Sequence, residues 1–233
     1  MKTLGILGGM GPLASAEFLR TIYDLNLKDP EQDSPLCVLL SDPTIPDRTQ
    51  AILEGSEDLL LARLCQALQT LSSIGAERIV IACVTAHHFL PHVPEPLRRK
   101  IVSLIDLVID EVLAIPRRYL LLTTKGTRAA GVFERHERWS EIARWIVHPG
   151  SAEQRELHEQ LYLLKKAQEP SGDSLGWLEG LASRHAVEGI IFGCTELHLL
   201  SRPLSRRPGR SLSERTIDPL LIVARDLEIL LNS

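Results

Sequence analysis

Short unbroken apolar runs, each closed by glycine, proline or small polar residues, alternate along this chain with longer stretches in which apolar residues recur every three to four positions. The first run, Leu4 to Leu7, ends at Gly8-Gly9-Met10-Gly11-Pro12. A run that short, without polar alternation, predicts a strand buried on both faces that ends in a tight loop. Residues 14–26 place Ala14, Phe18, Ile22 and Leu25 on one side of a helix. Cys37 to Leu40 predicts a second strand stopped by Ser41-Asp42-Pro43, Leu59 to Leu71 a second helix, and Gly75 the turn into a third strand, Ile79 to Ala82. That order is the one expected of a parallel sheet covered on both faces.

A helix over Val102 to Leu113 ends near Pro116, and the plan then starts again. Tyr119 to Leu122 reads as a strand leading into Thr123-Thr124-Lys125-Gly126-Thr127, and Val187 to Phe192 leads into Gly193-Cys194-Thr195 as Ile79 to Ala82 leads into Cys83-Val84-Thr85. The expected organisation is an N-terminal lobe over residues 1–115, a second lobe over 116–215, and a C-terminal helix within 216–233 that returns to complete the first lobe. The breaker-rich stretch Pro203 to Arg210 reads as an exposed loop.

Composition narrows the class. Aromatic residues are only 4% of the 233, so the core is aliphatic, and 24% charged against 44% apolar residues is the balance of an ordinary globular protein. The net charge of −4 gives no broad positive field for a nucleic acid, although Arg202, Arg206, Arg207 and Arg210 form a local basic patch. No apolar run has the length of a membrane span and none near the N-terminus has the form of a signal peptide, so a cytoplasmic protein is expected. Four cysteines without metal-like pairing fit reduced thiols.

Loops beyond the carboxyl ends of parallel strands are where such sheets place ligands. Cys83 and Cys194 both stand there, each near a threonine and ahead of a helical pattern, whereas Cys37 and Cys65 lie inside a strand and a helix and read as small buried hydrophobes. Amides at a helix start favour the thiolate and so make a base. If the lobes face each other, two such groups reach one carbon from opposite sides, which is what inverting it requires. Around them, Arg48 suits a planar carboxylate, with Thr49 beside it, but pairing with Asp42 or Asp47 to brace the loop is an equal reading. Glu196 fits a substrate ammonium, control of the second thiol's proton, or a helix cap. His87 and His198, each four residues after a cysteine, are expected to support them from behind. A zinc site with His88 and His92 lacks the usual ligand spacing. Lys165 and Lys166 fit either a carboxylate-binding cation or solvent-exposed lysines.

Taken together, Gly8 to Pro12, Ser41 to Thr49, Cys83-Val84-Thr85-Ala86-His87, Gly193-Cys194-Thr195-Glu196-Leu197 and Ile217-Asp218-Pro219 resemble, in order, the motifs of the pyridoxal-phosphate-independent aspartate/glutamate racemases, the aspartate branch most of all. The resemblance implies two pseudo-symmetric α/β lobes of Rossmann-like or flavodoxin-like form, each a parallel sheet flanked by helices, with the active site in the cleft between them. It further implies no cofactor and no metal, a small acidic amino acid as substrate, a homodimer, and Cys83 and Cys194 as the two catalytic thiols. Substrate binding is carried by the resemblance onto Met10, Arg48, Thr49, Val84, Thr85, Thr127, Thr195 and Glu196, with either Lys165 or Lys166. The expected reaction is interconversion of L- and D-aspartate; glutamate, a related acidic-substrate isomerisation, or binding without catalysis are the alternatives. Two positions depart from the pattern: Val84 stands where Asn is usual and Phe133 where Tyr is frequent.

Overall fold

The computed structural model describes residues 2–166, 172–205 and 212–232. It is an α/β structure of two lobes, each built on an all-parallel sheet flanked by helices. In the first lobe β1 (Thr3–Gly8) lies between β2 (Leu36–Ser41) and β3 (Arg78–Ile81), with Leu4 paired to Cys37 on one side and to Arg78 on the other. In the second, β4 (Tyr119–Thr123) lies between β5 (Ile146–Val147) and β6 (Gly189–Gly193), and β7 (Thr216–Ile217) extends the sheet beyond β6. A single parallel bridge from Ile79 to Ile101 occupies the place in the first lobe that β7 holds in the second, so the two sheets share one order.

The unbroken apolar runs follow from burial of both sheet faces. Leu4, Ile6, Val80 and Ala82 point into one core together with Tyr119, Leu121 and Ile191 of the second lobe. Leu7, Ile79 and Ile81 point the other way, against Leu60, Leu64 and Leu68 of helix Asp58–Ser73. Leu120, Leu122, Ile190 and Phe192 do the same in the second lobe, under Leu157 and Leu161 of helix Ser151–Lys166 and Leu178 of helix Gly172–Arg184. Three cores result, and the first runs through both lobes. Helices Pro12–Asn26, Leu104–Ala114 and Pro219–Arg225 all contribute to it.

Several details differ from the sequence reading. On the first helix Leu25 is 53% exposed, and Ser15 joins Ala14, Phe18 and Ile22 in the buried face. The C-terminal segment is not one helix: Thr216–Ile217 are a strand of the second sheet, and helices Pro219–Arg225 and Leu227–Asn232 are separated at Asp226. Asn26 Nδ2 donates to Ala224 O at 2.7 Å, which ties the first of these two helices back to the N-terminal one. Pro203 to Ser205 belong to a short helix, Ser201–Ser205, while residues 206–210 of the expected loop, with Arg206, Arg207 and Arg210 of the basic patch, lie outside the described residues. Arg202 itself is ion-paired to Glu17 and Asp24 of the first lobe rather than open to a phosphate backbone. Cys37 and Cys65 are half-buried, not core residues. Among the described residues no helix is long and apolar enough to cross a membrane.

Candidate active site

Cys83 and Cys194 leave the carboxyl ends of β3 and β6, the corresponding central strands of the two lobes, and both are buried. They line one cavity, and the lobes supply its other walls in near-equal measure. Met10, Asp47, Arg48, Thr49, Val84 and Thr85 come from the first lobe; Thr124, Lys165, Thr195 and Glu196 come from the second. The free space between them is only about 10 Å³, enough for one water, so the lobes stand closed on the site.

The close approach depends on two glycines. A Cβ on Gly126 would lie 2.7 Å from Thr49 Cα across the lobe boundary, and one on Gly11 would lie 2.6 Å from Glu196 Oε1. The Thr49 backbone cannot yield to such a contact, so glycine at 126 is what lets the second lobe seat against the first, while at Gly11 the Glu196 carboxylate would have to swing aside.

Arg48 opens helix Arg48–Glu54, whose first turn is capped by Asp47 accepting the Gln50 N–H at 2.9 Å. The loop closes because the Arg48 guanidinium donates to Met10 O at 2.7 Å, Pro46 O at 3.0 Å and Ile45 O at 3.3 Å. Asp42 takes no part in this: it accepts from Thr44 and pairs with Arg63. Burial works against the Arg48 charge, yet Cys83, Asp47 and Glu196 around it carry its pKa above the usual guanidinium value. Its Nε–H and Glu196 Oε1 are both buried without a hydrogen-bond partner, the condition of polar groups waiting for a ligand.

Helix Ser151–Lys166 turns Lys165 into the cavity and leaves Lys166 out of its lining. Lys165 Nζ lies 3.8 Å from Glu196 Oε1 and 3.8 Å from Asp47 Oδ2, over the ring of Tyr162, whereas Lys166 is exposed. Burial lowers the Lys165 pKa, but Glu196, Cys194 and Tyr162 raise it by more, so the ammonium is kept charged. Tyr162 donates to Asp47 Oδ2 at 2.8 Å and so joins the lobes across the same wall.

The two thiols do not share one environment. Cys194 Sγ donates to Glu196 Oε2 at 2.7 Å. Burial first, then the Glu196 charge and this hydrogen bond, push the Cys194 pKa well above its usual value, with Lys165 opposing. The expectation that a helix start favours a thiolate is therefore reversed at Cys194: the short helix beyond it, Thr195–Leu200, is outweighed by burial and by a carboxylate in contact.

The threonines link the lobes. Thr85 Oγ1 meets Thr127 Oγ1 at 2.8 Å and Thr124 Oγ1 at 3.2 Å, and Thr195 Oγ1 donates to Ala82 O at 3.0 Å. Thr127 is not among the cavity-lining residues; it holds Thr85 and Thr124 from behind.

His87 does not touch a sulfur. Leu104 N–H donates to its Nε2 at 3.1 Å, so its proton is on Nδ1, which donates to Cys83 O at 3.1 Å. It thereby fixes the cysteine loop to the start of helix Leu104–Ala114. His198 contacts Asp218 at 2.6 Å and Thr21 at 3.1 Å, again fixing a loop rather than a thiol. His88 turns to Glu57 at 3.3 Å.

Burial lowers the His87 pKa from 6.5 to about 4, and the hydrogen bonds only partly offset this. Folding then excludes a proton that the unfolded chain binds, so this share of the stability is complete above pH 6.5 and is lost as pH falls to about 4. His87→Gln should remove roughly 3 kcal/mol of acid sensitivity over that range. Urea unfolding of the two proteins at both ends of the range checks this; equal pH slopes would place the effect elsewhere.

Asp47, Thr124 and Tyr162 were not singled out from sequence as site residues. Asp47 stood beside Arg48 in a motif and read as a brace, while Thr124 lay in the loop that repeats the first lobe's plan. Tyr162 carries no local signal, since only the helix's rotation aims it at Asp47.

The family model described as Asp/Glu/Hydantoin racemase matches residues 7–227. Among solved structures, an aspartate racemase of Picrophilus torridus superposes with a TM-score of 0.78 at 24% identity, covering 98% of this chain and 94% of that one. A Pyrococcus horikoshii protein described as an aspartate racemase homologue reaches 0.68 at 24% identity over 100% of both chains. A glutamate racemase of Francisella tularensis, solved in complex with D-glutamate, gives 0.59 at 13% identity, with 99% of this chain and 81% of that chain covered. At these identities the likenesses carry the fold.

Proposed function

Since the chain belongs to the Asp/Glu/hydantoin racemase family, we propose that it interconverts L- and D-aspartate without a cofactor, Cys83 and Cys194 exchanging the α-proton from opposite faces of the substrate. The observation that carries this reading is the single buried cavity that receives one cysteine and one cation from each lobe, Cys83 with Arg48 and Cys194 with Lys165.

In one direction a thiolate takes the α-proton, and the electron pair passes into the adjacent carboxylate as an enediolate. The opposite thiol then gives its proton to the other face, and the two sulfurs finish with exchanged protonation. The hydrogen bond from Cys194 to Glu196 supports Cys194 as the group that starts protonated, leaving Cys83 to start as base. Arg48 and Lys165 stand ready for the two carboxylates, and charges fixed before the reaction stabilise the developing negative charge without reorganising. Glu196 Oε1 is free to accept from the substrate ammonium. Aspartate is chosen over glutamate because the motifs resemble the aspartate branch most of all. On this reading residues 1–115 with the C-terminal helices form one lobe and 116–215, extended by the strand Thr216–Ile217, the other, and the amino acid enters as they part.

The test is incubation in D₂O with each enantiomer of aspartate and glutamate, following chirality and loss of the α-proton by NMR. Reciprocal inversion of aspartate with deuterium uptake is expected. Saturable binding with neither inversion nor exchange would make the protein a binder, and faster inversion of glutamate would reassign the substrate.

Closure gives a further prediction. Gly126→Ala should prop the cleft open at Thr49 and lower kcat/KM by about tenfold or more, because small misplacements of reacting groups are costly. A variant of wild-type activity would show that the closed contact is not used in turnover.

A further inference from the structure

A second, larger cavity of about 700 Å³ lies along the same two elements that meet beside the cysteines. One wall is His87, His88 and Leu90 to His92, with Arg98 and Ser103; the other is Ala130 to Val132 with Arg135 to Glu137, so each lobe forms one side. Neither cysteine, Arg48 nor Lys165 lines it. Its size is that of pockets that hold small molecules, roughly 300–1,000 Å³.

We propose that this cavity is a binding site for a small polyanion, held between Arg98 of the first lobe and Arg135 of the second. The charge pattern supports this. Asp106 is already engaged by His136 and Arg138, and His88 by Glu57. Arg98 spends one N–H on Pro91 O at 3.3 Å, and Arg135 has no ion pair or side-chain hydrogen bond among the described residues. Glu137 is the one lining carboxylate without a partner, against two guanidinium groups and His92. Guanidinium forks recognise carboxylate and phosphate oxygens in pairs, and one on each wall of the cavity suits a ligand with more than one anionic group.

Occupancy has a consequence for the cysteine loop. His87 lines this cavity and also bonds Cys83 O, while Ala130 ends the helix whose Thr127 meets Thr85. An anion bridging the two arginines therefore favours the lobe arrangement seen here, in which the amino-acid site is closed. That coupling rests on the racemase reading; binding itself does not.

Calorimetric titration with pyrophosphate and, separately, citrate tests the site and tells phosphate from carboxylate. At least one should bind the wild-type protein, should bind Arg48→Ala with similar affinity, and should lose about tenfold or more in Arg98→Ala/Arg135→Ala. Arg98→Gln/Arg135→Gln serves if the alanine pair fails to fold. No binding of either anion up to about 10 mM, unchanged affinity in the double variant, or loss in Arg48→Ala would each overturn the proposal, the last by placing the anion in the amino-acid site. Because titration needs no turnover, a failure of the proposed racemisation leaves this result readable.

Discussion

Cys194→Ser is expected to lower the interconversion of aspartate enantiomers by between about a hundredfold and ten-thousandfold, in both directions, because one of the two proton-transfer groups is lost. A serine hydroxyl neither holds a negative charge near neutral pH nor gives up its proton as a thiol does. The variant should still fold, since the hydroxyl can keep the bond that Cys194 donates to Glu196. Its signature is one-sided chemistry: Cys83 remains able to remove and return a proton on its own face. In D₂O, one enantiomer should lose its α-proton without changing hand, and the other should do neither. Cys83→Ser should show the mirror pattern. Reciprocal inversion at the wild-type rate in either variant would remove that cysteine from the mechanism, and loss of exchange for both enantiomers in both variants would point to a single concerted unit. The pair of variants therefore reports which sulfur serves which face.

The central strands were legible in sequence because their burial is total, and the half-buried strand Leu36–Ser41 was legible because its apolar run is just as unbroken. Leu4 to Leu7 and Tyr119 to Leu122 read as strands because successive residues face different cores and all must be apolar. Ile146–Val147 and Thr216–Ile217 escape that reading, since two residues at a sheet edge leave no pattern. The same holds for Ile101, which joins the first sheet through one bridge. In the site, repetition made Cys83 and Cys194 visible, and neighbouring residues in one loop made Arg48 visible. The choice of Lys165 over Lys166 is set by the rotation of a helix, and the protonation of Cys194 by a carboxylate two residues away turning onto it. Neither is written in spacing. At Cys194 a helix start does not favour the thiolate, because burial first, and then a whole charge in contact, outweigh the partial charges of a few amides.

Arg48→Ala is expected to cost about a hundredfold to a thousandfold in kcat/KM, roughly 3–4 kcal/mol, as removal of one partner from a buried charged hydrogen-bonded set does. Arg48 is 7% exposed and holds the carbonyls of Met10, Pro46 and Ile45, so the same change also loosens the loop that carries Asp47 and Thr49. The two effects separate by measurement. Loosening lowers the melting temperature and is not rescued by substrate, whereas loss of the carboxylate contact raises KM at a temperature where the variant is folded. Arg48→Lys keeps the positive charge beside Asp47 and Glu196 but offers a single point in place of a planar fork. It cannot reach three carbonyls and a carboxylate together. It should therefore recover part of kcat, through charge, and little of KM, through geometry. An alanine variant with wild-type KM for aspartate would show that the guanidinium is only a brace for its own loop, and the first-lobe cation would have to be sought elsewhere in the cleft.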